Sequence, residues 1–255
     1  MANDRMVRRL IDRALPLRRR NAIRIGLGLH PRCLRGRFPD LGMIGVRPGA
    51  VVIDVGANVG DFSECVLAFQ PWARLHLVEP LVEPHVELRR KFGRYDDVEF
   101  SSFAFGREEG ERDFFVCRYD QASSFLEASA ALEGAAAGLD VSLKEVRRVR
   151  IERLEAYLRE KRLERVDLLK LDVQGFELEV LEGAGDALGR IDWIYTEAQF
   201  RELYGGGPLF SDIFAFLSAR GFDLKRMNSF RTDAEGRLVE CDMVFRRRLP
   251  GAGGP

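Results

Sequence analysis

Between Val51 and Phe245 the chain alternates short apolar, β-branched runs with segments whose apolar positions recur at helical spacing. Val51–Val55 reads as a strand that stops at a glycine-rich turn, and Phe62, Val66 and Phe69 then fall on one face of a helix over Asp61–Phe69. The same signals predict strands over Arg74–Val78 and Val98–Phe103, with a helix over Val82–Phe92 between them. Alternation of this kind implies a parallel sheet with helical crossovers. The rhythm breaks over residues 112–150, where strands at Asp113–Cys117 and Val146–Ile151 flank the Ala/Gly-rich stretch Ala128–Gly138; this reads as an insertion facing the substrate. It resumes with helices over Glu152–Lys161, Phe176–Leu188 and Leu209–Arg220 and strands over Val166–Leu171 and Trp193–Glu197. Two last strands, Phe222–Arg226 and Leu238–Phe245, are joined through a turn at Asp233–Gly236 with no room for a helix, so they pair antiparallel.

At 255 residues and 46% hydrophobic content the chain can bury a full core, and residues 49–248 read as one domain. Forty basic residues balance forty acidic ones, which removes any global electrostatic case for nucleic acid or membrane. The distribution is uneven. Residues 1–39 hold eleven Arg and only Asp4 and Asp12 as acids, a formal +9, leaving −9 on the rest. Residues 1–48 therefore read as a basic, Arg-rich arm, expected to be an amphipathic helix docked on the acidic main domain or, second, lying on a membrane surface. The tail 249–255 is expected to be disordered. Cys33, Cys65, Cys117 and Cys241 form neither a CxxC pair nor a dense disulfide framework, and no apolar run approaches the roughly 20 residues of a membrane span. The expected location is the cytoplasm.

The strongest local signal is the run from Val51 to Asp61, in which a buried strand delivers Asp54 and then Gly56, Asn58 and Gly60. Glycines let the backbone approach a ligand closely, and the helix that follows offers unpaired N–H groups at its start. Glu79 stands nineteen residues beyond Gly60, at the end of the next strand, where an acid can accept both hydroxyls of a ribose. The loop reads GxNxG and not the GxGxxG of a dinucleotide site, and no Walker lysine follows it. S-adenosylmethionine has no phosphate but carries a sulfonium, an ammonium and a ribose, so acids at strand ends such as Asp54, Glu79 and Asp172 suit it.

Six segments in order resemble the FkbM family of methyltransferases: DVGANVGDFS (54–63), VEP (78–80), AFG (104–106), SS (123–124), LLKLDVQGFELEVLEGA (168–184) and TEAQFRELYGGGPLF (196–210). The resemblance covers about Val51–Phe245. It implies a Rossmann-like class I methyltransferase fold, an α/β architecture with a mostly parallel seven-stranded sheet, an antiparallel last strand and helices on both faces. It also implies transfer of a methyl group from S-adenosylmethionine to a hydroxyl of a small molecule, a natural product, a sugar or a related metabolite. By the resemblance Asp54, Gly56, Asn58 and Gly60 frame the methionine end of the cofactor, Glu79 its ribose, and Phe103 and Ala104 its adenine. The third-strand segment departs from the family in reading SSFAFG, where an Asn before Ala-Leu-Gly is common.

Asp172 ends its strand ahead of the turn at Gly175, which puts its carboxylate at the cofactor-facing edge of the sheet. There it can position the acceptor, take a hydroxyl proton or hold a divalent cation, though no cation is expected; capping the next helix is the structural alternative. Glu197 and His85 are the other catalytic candidates, and Lys170, inside a buried strand, is expected to pair with an acid. Ser123, Ser124, Tyr204 and the loop Gly205–Pro208 are candidates for contact with the acceptor. Two other readings compete. The arm could grip phosphates in a nucleic-acid methyltransferase, but the chain lacks both the Asn-Pro-Pro-Tyr type of tetrapeptide of base-amine enzymes and a Pro-Cys nucleophile. A non-catalytic cofactor-binding scaffold would not need Asp54, Glu79 and Asp172 together. The partners expected are a small hydroxylated acceptor, a second copy of the chain in a homodimer, and a membrane or protein surface met by the arm, with nucleic acid not expected.

Overall fold

The computed structural model describes residues 38–44, 47, 49–136 and 138–248, together with Arg19, Ala22 and Ile23. Most of the basic arm and the tail 249–255 lie outside the described residues.

Apolar runs at the centre of the chain become strands covered on both faces. β1 (Val51–Val55) and β7 (Val166–Leu171) are buried at every position, the pattern that a parallel strand between two helical layers requires. They pair with each other, and the seven-stranded sheet has the order β3-β2-β1-β7-β8-β10-β9. Here β2 is Arg74–Val78, β3 Val98–Ser101, β8 Ile191–Gln199, β9 Phe222–Thr232 and β10 Leu238–Arg247. All neighbours run parallel except β10, which lies antiparallel between β8 and β9. The expected α/β sheet with a reversed last strand is therefore present.

Helices α1 (Asp61–Phe69) and α2 (Val82–Phe92) cover one face, burying Phe62, Val66, Leu88 and Phe92 against Val52, Leu75 and Leu168. α4 (Leu154–Glu160), α5 (Glu177–Gly183) and α6 (Phe210–Ala219) cover the other, with Leu158, Val180, Leu181 and Ile213 packed on Ile53, Leu169 and Ile194. The expected helix Phe176–Leu188 is shorter: α5 ends at Gly183 and a 3₁₀ segment, Gly185–Arg190, follows. Gly185, at φ +51, takes the chain out of the helix, and Gly183 lets its last turn pass close to Gly106, whose carbonyl oxygen would lie 2.0 Å from a Cβ there.

The insertion builds a second sheet. β4 (Ala104–Phe105), β6 (Leu143–Glu152) and β5 (Gly110–Cys117) pair in the order β4-β6-β5. The expected strand Val98–Phe103 is thus divided: β3 leaves the main sheet at Ser101, Phe103 turns, and Ala104–Phe105 joins the second sheet. Within the Ala/Gly-rich stretch a short helix, α3 (Ala130–Ala135), is capped by Ser129, whose hydroxyl accepts from the Ala131 N–H. Its Leu132 and Ala135 pack with Cys117, Leu203 and Tyr204, so the insertion and the loop after β8 form one roof over the carboxyl ends of the sheet.

Candidate active site

A cavity of about 640 Å³ opens beneath that roof, outside the carboxyl ends of β1, β2, β7 and β8. The strand order reverses between β1 and β7, and this crevice is where open α/β sheets bind ligands.

One half of the cavity is built by the two βα loops of β1 and β2. Gly56 and Gly60 both take left-handed backbone angles, φ +71 and +81, and Asn58, a residue that tolerates this region, lies at φ +44. The Gly56 and Ala57 N–H groups donate to the Val78 carbonyl at 3.0 and 3.1 Å, which folds the loop back over β2. Glu79 is buried at the end of β2, and its two carboxylate oxygens accept from the N–H groups of Leu81 and Asn58, each at 2.9 Å. Each oxygen keeps a second lone pair, so the carboxylate can still receive two hydroxyls. Burial pushes Glu79 up to about 7, against the pull of those two N–H groups and of Lys170, with Asp54 adding to the rise. Phe103 and Ala104 line the same half of the cavity beside Phe125.

His85 does not line this space. Its buried ring bonds through Nε2 to the Glu79 carbonyl at 2.7 Å, so it acts on the cavity through the backbone of Glu79.

Parallel register sets Asp54 on β1 beside Lys170 on β7. The Lys170 ammonium lies 3.2 Å from Asp54 Oδ1 and 3.5 Å from Asp172 Oδ2, and donates to the Gly56 carbonyl at 2.8 Å. Burial opposes this charge, but the two carboxylates outweigh it and hold the lysine above its ordinary range. Ser63 from α1 donates to the other oxygen of Asp54 at 2.7 Å. Asp54 therefore braces the floor beneath the glycine loop.

The second half of the cavity is acidic. Asp172, half-exposed, directly follows β7, and the structure assigns it no capping role: Phe176 is the N-cap of α5, and the N–H groups of Val173 and Gly175 donate to buried Glu177. Glu197 near the end of β8 faces Asp242 across the antiparallel pair, and Glu240 faces Gln199. Because β10 runs in reverse, it is the start of that strand which meets the end of β8. Burial first, then Glu240, Asp172, Glu177 and Asp242, hold Glu197 well above the usual carboxylate range. Arg231 pairs with Glu240 at 2.8 Å, and the Tyr195 hydroxyl donates to Asp242 at 2.7 Å. Glu240, Asp242 and Arg231 are site residues that the strand-end rule misses, since that rule looks only where strands finish. Ser123 and Tyr204 line the cavity, whereas buried Ser124 donates to the Gln174 carbonyl.

The sequence profile described as the methyltransferase FkbM domain matches residues 54–224. The chain belongs to the FkbM methyltransferase family. Three relatives carry the likeness beyond the profile. The AMB antimetabolite synthetase AmbE of Pseudomonas aeruginosa is 32% identical over 218 residues, 73% of this chain but 10% of that protein, so the chain spans about a tenth of its length. The 2-O-methyltransferase NoeI of Sinorhizobium fredii is 29% identical over 63% of this chain and 68% of the relative. The 31-O-demethyl-FK506 methyltransferase FkbM of Streptomyces tacrolimicus is 29% identical over 69% and 74%. The match runs from the Asp54 loop through Asp172 and Glu197 to the start of β9 and marks a methyltransferase domain. Among the described residues of this FkbM methyltransferase no helix is long and apolar enough to cross a membrane, and no cluster of His, Cys, Asp and Glu has the arrangement of a metal site.

Proposed function

We propose that the chain methylates a hydroxyl oxygen of a small molecule held in the acidic half of the cavity. The observation that carries this reading is the continuity of one cavity from the glycine loop and Glu79 to Asp172 and Glu197. The donor set fits S-adenosylmethionine: a carboxylate with two open lone pairs for a ribose, apolar Phe103 and Phe125 for a base, and acids beside the space where a cation would lie. When bound, the cofactor supplies an activated methyl group on its sulfonium. Gly56 and Asn58 would shape the wall for its methionine end, with Gly60 turning the loop behind them against Phe92, and Glu79 would orient its ribose. Phe103 and Ala104 flank the adenine.

Asp172 stands at the junction of the two halves. Its carboxylate faces the Lys170 ammonium on one side and the open acceptor space on the other, so it can receive the hydroxyl proton as the oxygen gains the methyl carbon. Glu197, held well above the usual carboxylate range by burial and by its acidic neighbours, lines the same acceptor space and can bond a second polar group of the acceptor. Holding the oxygen in line with the methyl carbon supplies much of the rate. No step in this reading needs a divalent cation, and a chelator should leave turnover unchanged. The N-terminal arm stays an accessory surface for a partner or anionic lipid, and the cytoplasm stays the proposed location.

The test is calorimetry with S-adenosylhomocysteine followed by transfer from methyl-labelled cofactor to a panel of hydroxylated small molecules. Asp172→Asn should bind the cofactor product normally and lose about 10²-fold in turnover. Methylation that appears only on nitrogen or carbon would refute the hydroxyl assignment, and an Asn variant with normal turnover would move the base elsewhere.

A further inference from the structure

Gln174, in the turn after β7, holds a left-handed backbone angle of φ +54, a region that glycine enters freely and a long side chain does not. Gly175 follows at φ +88, so glycine fills only one of two consecutive left-handed positions. A non-glycine residue kept in such a conformation points to a use for its side chain.

That side chain touches both acids of the acceptor site. Its Nε2 donates to Asp172 Oδ1 at 2.7 Å and to Glu197 Oε2 at 3.2 Å, while its Oε1 accepts from the Tyr204 hydroxyl at 2.8 Å. Two carboxylates on one side and a hydroxyl donor on the other admit only one orientation of the amide. Its main-chain carbonyl accepts from Ser124 Oγ at 2.7 Å. The insertion, the loop after β8 and the end of β7 therefore meet on this one residue.

We infer that Gln174 is a positioning residue of the methyl transfer: its amide fixes the separation of the Asp172 and Glu197 carboxylates and favours their charged forms, while Tyr204 fixes the amide. The inference rests on the reading of Asp172 as the acid at the acceptor end. The surroundings make such a donor necessary. Glu240 and Asp242 on β10 and Glu177 on α5 add negative charge around Glu197, and Arg231 on β9 is engaged with Glu240. On the other side of Asp172, Lys170 on β7 is shared with Asp54 on β1. An NH₂ group gives one hydrogen to each carboxylate and adds no charge of its own.

The test is a carbon-13 titration of protein carrying labelled Asp and Glu carboxyls, run on free and on S-adenosylhomocysteine-bound wild type, Gln174→Gly and Gln174→Glu. Glycine removes the amide at a backbone angle it adopts without strain, and Glu puts a third carboxylate in nearly the same shape. Both variants should bind S-adenosylhomocysteine within about twofold of wild type, since Gln174 lies in the acceptor half. In Gln174→Gly the Glu197 midpoint should rise, and in Gln174→Glu it should rise further. Midpoints that superimpose on wild type in both variants would overturn the inference, whatever happens to melting temperature, because a purely structural residue moves the melt and not the titration. Wild type that fails to bind S-adenosylhomocysteine would count against the proposed function alone, while the free-protein midpoints still decide the role of Gln174.

Discussion

The carbonyl oxygen of Asp172 lies 2.0 Å from where a Cβ on Gly56 would stand, so the loop after β1 and the end of β7 touch through bare backbone. That contact joins the cofactor half of the cavity to the acceptor half. Gly56→Ala would have to part the two strands and also hold alanine at φ +71. The expected loss is about 2 kcal/mol or more of stability, with cofactor affinity reduced beyond tenfold. Gly236→Ala is the control, since its φ is +77 but nothing lies near its missing Cβ, and thermal melts of the two variants separate contact from conformation.

Glu79 makes cofactor affinity depend on pH. Its carboxylate is pushed up to about 7 by burial in the free protein, and it must be ionised to accept two ribose hydroxyls. Protons therefore compete with the cofactor below that value: affinity should be flat above about pH 7 and fall toward tenfold per unit beneath it. Calorimetry between about pH 5.5 and 8, which brackets that midpoint, checks this. In Glu79→Gln the slope should vanish and the affinity should be low throughout.

His85 supports Glu79 and is 8% exposed, so His85→Ala should weaken cofactor binding by about fivefold through the lost bond to the Glu79 carbonyl. Turnover at saturating cofactor should stay near wild type. A large fall in turnover with unchanged cofactor affinity would instead return His85 to the list of proton-transfer groups.

Lys170→Met leaves Asp54, fully buried, with Ser63 as its remaining side-chain partner. Removing one member of a buried ion pair costs about 3–5 kcal/mol, and the melt should show it. Asp54→Asn on top of Lys170→Met should recover part of the loss, because no buried charge then stands alone. A double variant as unstable as the sum of the two single changes would mean that the pair is not coupled.

The sequence alone determined the elements whose periodicity is strong. Apolar runs at Val51–Val55 and Val166–Leu171 could only be strands buried on both faces, and Phe62, Val66 and Phe69 could only share a helix face. The glycine loop and Glu79 were legible for the same reason: their chemistry is local, set by what a strand end and a helix start expose. Positions in the second half of the cavity were not. Asp242 and Glu240 lie more than forty residues after Glu197, and they reach it because β10 inserts in reverse between β8 and β9. Strand order depends on which apolar faces bury each other across the whole sheet, and no short stretch of sequence encodes it. His85 illustrates the same limit from the other side: its spacing from Glu79 was readable, but only packing decided that the imidazole turns to a backbone carbonyl and away from the cavity.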